Sequence, residues 1–294
     1  MTSDFYGLPA RSLENDHLRI DYLVEAGPRL VRLILVGSTN NLLAEVPEIC
    51  WPTAWGEYHL HGGHRVTVAP EALGLSYVPD DNGLVIEDAP GGVRLSRPTE
   101  IGSRVSKSIE IQLHPDRPAL TLRHSVCNDR SEPIEIAAWA ITQLRLGGLA
   151  VAPSRTTTIA NHHRPDRQLV LWPYTSWHDD RLFADDNYVF IEAQPAEAEL
   201  KIGLLARGWL GYLQSGVFFL KRFDPQLQQP HPDLNTNAQI YCNRRFIELE
   251  SLAPLVLLKP GESSVHLETW EIYRAGDVPS TIEGLRNWLS TLSL

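Results

Sequence analysis

The chain has 294 residues, 43% of them hydrophobic and 21% charged, a globular composition that excludes disordered, collagenous and coiled-coil chains. Its 26 Lys and Arg against 36 Asp and Glu give a net charge of −10 with no basic run. Nucleic acid and anionic membrane surfaces are therefore poor partners, and a small molecule or a protein is expected instead. Three cysteines, Cys50, Cys127 and Cys242, are far apart and form no CxxC pair, which argues against a disulfide scaffold or a zinc ribbon. The opening Met1–Gly7 has no basic stretch followed by an apolar one, and no apolar run approaches the roughly 18 residues that span a bilayer. A cytoplasmic protein is expected.

Short runs of period-two alternation, broken by Gly, Pro, Asn and Asp, dominate the chain and predict strands. Leu18–Val24 runs into the turn Ala26-Gly27-Pro28, and Leu30–Val36 ends at Gly37–Asn40. Leu84–Asp88 and Val93–Leu95 flank Ala89–Gly92 as a hairpin, and Ser108–Leu113 and Leu120–Val126 flank His114–Pro118 as another. Further strands are expected at Ile134–Thr142, Leu169–Trp172, Tyr188–Ala193, Leu200–Leu205, Val217–Lys221, Ile240–Glu250, Leu255–Leu258 and Val265–Tyr273. One helix is predicted, at the end, where Ser280-Thr-Ile-Glu283 reads as a capping box and Ile282, Leu285, Trp288, Leu289 and Leu292 share a face. With no repeat or long linker, residues 1–294 read as one all-β domain, a large antiparallel sandwich with a short C-terminal helix.

The densest polar cluster is Trp55-Gly-Glu-Tyr-His-Leu-His-Gly-Gly-His-Arg65, followed by Ala69-Pro-Glu71. On an extended strand His59 and His61 share a face, and the Gly62-Gly63 turn can bring His64 and Arg65 back towards it. Such a group could bind hydroxyls, shuttle a proton or hold a metal through His59, His61 and His64; a solvated loop gives the same string. In Phe246-Ile-Glu-Leu-Glu-Ser251, Glu248 and Glu250 point to one face about 7 Å apart, and burial beside a like charge would raise a carboxyl pKa towards that of a general base. A solvent-facing strand is the plainer alternative. Aromatic and basic residues recur at Trp172–Asp180, including Trp177, and at Lys201, Trp209, Lys221 and Arg222, where stacking and charge would suit a sugar. Lys201 and Lys221 lie in apolar strands and need a polar destination. His162-His163 reads as loop with no role.

In order, LENDHLRIDYLVEAGPRLVRL, LHGGHR…APE, LVLWPYTSWHDDR, LKIG, FFLKRFD and FIELESLAPLVLLKPGESSVHLETWEIY resemble a bacterial family of the galactose mutarotase-like (aldose 1-epimerase) superfamily over roughly residues 12–275. The resemblance implies an antiparallel β-supersandwich that binds carbohydrate and opens and recloses its ring without a cofactor or metal. It implies Glu250 as the base, with Glu248 as the substitute, and His64 or His61 as the acid. Arg65, Glu248, Glu71, Lys201, Lys221 and Trp177 then contact substrate. Mutarotases carry their acid histidine in a mid-chain Asn-His-x-aromatic motif, whereas the matching stretch here, Trp139–Gln143, has none. Two other readings stay open: a metal-dependent hydrolase or isomerase using His59, His61 and His64, and a non-catalytic interaction sandwich.

Overall fold

The computed structural model describes residues 2–154, 163, 165–276, 278–279 and 281–292. Two large antiparallel sheets face each other, as the alternation predicts. The first runs, strand by neighbouring strand, through Thr2–Phe5, Leu8–Glu14, Leu18–Leu23, Arg29–Leu35, His64–Ala69, Ile134–Leu144, Ile247–Leu252, Ala238–Cys242, Leu200–Leu204 and Val170–Leu171. The second runs through Leu182–Ala184, Tyr188–Glu192, Leu149–Pro153, Trp209–Gln214, Val217–Phe223, Ser263–Arg274, Ala119–Asn128, Val105–Leu113, Gly92–Arg97 and Val85–Ala89. Alternate side chains of both, among them Leu18, Ile20, Leu33, Ile109, Ile111, Leu122, Ile240 and Leu249, fill the space between them.

Several expected elements shift. Ile240–Glu250 is two strands, because Asn243 Oδ1 accepts from the Arg245 and Phe246 amides and turns the chain. The helix Ile282–Leu289 lays Leu285 and Leu289 on Leu149, Phe190 and Phe218 of the second sheet's outer face. Its cap is Thr281, whose hydroxyl accepts from the Gly284 amide at 3.1 Å; Ser280 lies outside the described residues, as does His162. Among the described residues, no helix is long and apolar enough to cross a membrane.

The Glu45–Thr53 and Gly56–Gly62 strands form a separate hairpin, which had no clear alternation in the sequence. The chain leaves it for the first sheet through His61, Gly62 and Gly63, at φ of 57°, 98° and 74°. Glycine is required at the last two: a Cβ at Gly62 would collide with the Ala44 carbonyl oxygen, and one at Gly63 with that of Leu30.

Within this core sits a buried polar network. Lys221 Nζ lies 2.8 Å from Glu268 Oε1 and donates to the carbonyls of Ala140 (2.9 Å) and Leu249 (3.0 Å) and to Thr142 Oγ1 (3.1 Å). The rest of the proton placement follows from donor and acceptor counting. His124 Nδ1 faces the His266 carbonyl at 3.1 Å and must carry the hydrogen. Its Nε2 then accepts from His64 Nε2 at 2.7 Å, and His64 Nδ1 accepts from Thr142 Oγ1 at 2.9 Å. Ser251 takes a hydrogen bond from His266 Nε2 at 2.6 Å and gives one to Glu268 at 2.5 Å. His64, His124 and Glu268 offer ligand atoms close enough for a metal, but the Lys221 ammonium already supplies the positive charge there.

Burial pushes the His64 imidazole well below its usual 6.5 and that of His266 down to about 3, with Glu268 opposing the shift. A histidine kept neutral in the fold but protonated when unfolded contributes stability above 6.5 that is lost as pH falls towards 3. Between pH 7 and 5 the melting temperature of wild type should therefore fall relative to that of His266→Gln. Equal slopes in thermal melts would contradict a neutral buried His266.

Candidate functional site

The first sheet's outer face builds the site by register. Gln143, Glu248, Tyr241 and Lys201 are successive cross-strand partners, and so are Arg65, Ile141, Glu250 and Gln239 in the adjoining row. Each row therefore places residues distant in sequence side by side. The hairpin covers this face with Ile49, Trp51 and Leu60, and Trp172, Tyr174 and Tyr77 close the sides. The result is a cleft of about 430 Å³, walled by aromatic rings and floored by charge.

Glu248 lines the cleft, its Oε1 accepting from Gln143 Nε2 at 2.9 Å with Arg65 Nη1 at 3.7 Å. Glu250 has no exposed surface and lies behind the lining. Its Oε2 accepts from Trp139 Nε1 at 2.9 Å and is 3.2 Å from Lys201 Nζ, while its Oε1 is buried without a partner. Lys201 Nζ sits 4.8 Å from the centre of a Trp139 ring and 4.9 Å from one of Trp172, so its charge is held by two indole faces and a carboxylate.

Burial pushes the Glu250 carboxyl up to about 7, more strongly than Lys201 lowers it, with Glu248 adding to the rise. Burial likewise raises Glu248, against Arg65 and Lys201. For Lys201 burial works downwards, yet the carboxylates of Glu250, Glu71 and Glu248 raise it overall, which keeps it an ammonium. Of the two, Glu248 lines the cleft, so one carboxyl tuned upwards beside a fixed cation is placed to exchange a proton with a ligand.

The cleft gathers Arg65, Glu71, Lys201 and Glu248 from the expected set, with Glu250 behind it. Others lie elsewhere. His64 points to the opposite face of its strand, into the buried network, since Arg65 takes the cleft side; Lys221 is in the same network. His61 turns away to Asp81, at 3.2 Å. Trp177 is 71% exposed and outside the lining, where Trp172 stands instead. No histidine lines the cleft among the described residues, and His64 does not converge with His59 and His61 into one metal site.

Trp51, Tyr77, Trp139, Gln143 and Tyr241 are site residues that the sequence reading did not single out. The Trp139–Gln143 stretch could have offered two of them, because its alternation puts Trp139 and Gln143 on one face.

No family model matches the sequence, and no curated protein is similar to it in sequence. Solved structures do resemble the fold. A candidate aldose 1-epimerase from Klebsiella pneumoniae matches at TM-score 0.59 and 12% identity, over 92% of this chain and 80% of that one. A galactose mutarotase-like protein from Lactobacillus casei matches at 0.57 and 10%, over 90% and 100%. A candidate aldose 1-epimerase from Escherichia coli matches at 0.52 and 14%, over 90% and 99%. The chain has the galactose mutarotase-like fold.

A carboxyl raised from the usual 4.5 to about 7 by folding contributes stability while it stays protonated. That contribution is complete below 4.5 and is lost as pH rises through 7. Glu250→Gln, a neutral isostere, removes this dependence. Wild type should lose stability relative to the variant as pH rises from about 4.5 to about 7 in denaturant titrations; a constant difference would mean that Glu250 is ionised throughout.

Proposed function

We propose that the cleft binds a carbohydrate and interconverts its anomers by proton transfer. The observation that carries this reading is a pair of upward-tuned glutamates beside the Lys201 ammonium, in a cleft walled by tryptophan and tyrosine. Indole and phenol rings suit the apolar face of a pyranose, and the charged floor suits its hydroxyls. The neighbours of like fold described as aldose 1-epimerases add support.

The acid–base roles follow from access. Glu248, at the lining, takes the proton of the anomeric hydroxyl as C1=O forms and the bond from C1 to the ring oxygen breaks. Lys201 gives a proton to that ring oxygen. Rotation about the C1–C2 bond and the reverse transfers close the ring as the other anomer and return both protons. Lys201 takes the part that the resemblance implies for a histidine, and Glu250 holds its ammonium in place from behind.

General acid–base help of this kind is worth about 10²–10⁴-fold. Glu248→Gln should therefore lower anomer exchange of the best-bound aldose by about 10²-fold or more, measured by NMR magnetisation exchange, with sugar affinity within a few fold of wild type. Wild-type exchange at the buffer rate would remove the catalytic reading. An unchanged rate in the variant would remove Glu248 as the base.

A further inference from the structure

The Gly56–Gly62 strand turns Leu60 into the cleft and sends His59 and His61 to its other side, where they meet Asp81. The two imidazoles are stacked 5.6 Å apart at 21°. His59 Nδ1 is 2.8 Å from Asp81 Oδ2, and His61 Nε2 is 3.2 Å from Asp81 Oδ1. All three donors lie within 4.8 Å of one another. We infer that His59, His61 and Asp81 form a site for one divalent transition-metal ion of the Zn²⁺, Ni²⁺ or Cu²⁺ class, separate from the cleft.

The donor set selects that class. Two imidazoles and one carboxylate suit Zn²⁺, Ni²⁺ and Cu²⁺, whereas Ca²⁺ and Mg²⁺ require oxygen ligands. Ligands at about 2.0–2.2 Å from a tetrahedral zinc lie about 3.3–3.6 Å apart, so the nitrogen–oxygen separations of 2.8 and 3.2 Å need only small adjustments. The ion would replace two hydrogen bonds that already bring these atoms together.

The surroundings fit as well. Glu57 Oε1 lies 3.4 Å from the far nitrogen of His59, the arrangement in which a carboxylate orients a metal-bound imidazole. The His59 and Asp81 side chains are each 35% exposed, which leaves an entry path, and the buried His61 anchors the inner side. His61 Nδ1 has no partner, and on metal binding it would carry the ring proton unpaired.

The site joins two pieces of the cleft wall. His59 and His61 belong to the hairpin that supplies Trp51 and Leu60, and Asp81 follows the segment carrying Tyr77. Arg29 already links the same two pieces, donating to the Leu60 carbonyl at 2.6 Å and pairing with Asp80 at 3.0 Å. A metal would add a second cross-link.

A rival cluster of Cys50, Glu57 and His59 shares one ligand with this site, so the test must separate them. Untagged protein is titrated with ZnCl₂ by calorimetry and, after dialysis against Zn²⁺, assayed for metal content. One ion per chain is expected, with melting temperature rising on saturation. His61→Asn and Asp81→Asn should each weaken binding by about tenfold or more, and Cys50→Ser should leave it unchanged. Thermal melts without metal confirm that each variant is folded. Substoichiometric zinc in wild type overturns the proposal. So does binding that Cys50→Ser abolishes and Asp81→Asn retains. The readout is metal binding alone, so neither outcome depends on sugar recognition in the cleft.

Discussion

The ammonium of Lys221 ties the two sheets together at the point where the site is built. From the second sheet it reaches across to the carbonyls of Ala140 and Leu249, which belong to the two central strands of the first. Those strands carry Trp139, Gln143, Glu248 and Glu250 on their other face. An apolar residue at position 221 would leave both carbonyls and the Glu268 carboxylate buried without their donor, a loss of several kcal/mol by comparison with other broken buried pairs. The positions of the cleft's glutamates thus depend on a bond made on the opposite side of the sheet.

Two nearby pairs show how differently burial acts on carboxyls. Glu268 and Glu250 are both fully buried, and both touch a lysine. Glu268 lies 2.8 Å from the Lys221 ammonium and accepts from Ser251 and Trp270; the Lys221 charge holds its carboxyl far below the usual range although burial opposes this. Glu250 shares Lys201 with other acids and keeps one oxygen without a partner, so burial prevails and its carboxyl rises. The charge each carboxyl faces separates the two: Lys221 outweighs burial at Glu268, whereas at Glu250 burial and the neighbouring acids outweigh Lys201.

The hairpin Glu45–Gly62 turns an open sheet face into a cleft. Its junction with the sheet is set by the backbone: His61, Gly62 and Gly63 take positive φ and pass so close to Ala44 and Leu30 that no side chain fits at the two glycines. Arg29 then holds it from beneath through the Leu60 carbonyl.

Local periodicity along the chain, two in the strands and near 3.6 at the C-terminal end, was enough to determine that the protein is built of strands, that an amphipathic helix closes it, and that Glu248 and Glu250 share a face. These are local properties, set by which way successive side chains point. The turn within Ile240–Glu250 was missed because Asn243 makes it through its own side chain, between two runs that each alternate. The site itself was only half legible. Gln143 beside Glu248, and Tyr241 beside Lys201, are neighbours only through strand register, which no stretch of sequence contains. Adjacent residues also parted: His64 and Arg65 differ by one position, so one entered the core and the other the cleft, and the histidine cluster split between an interior network and the pair His59 and His61 at Asp81. Residue type set what chemistry was available, and the pairing of the strands decided which groups would meet.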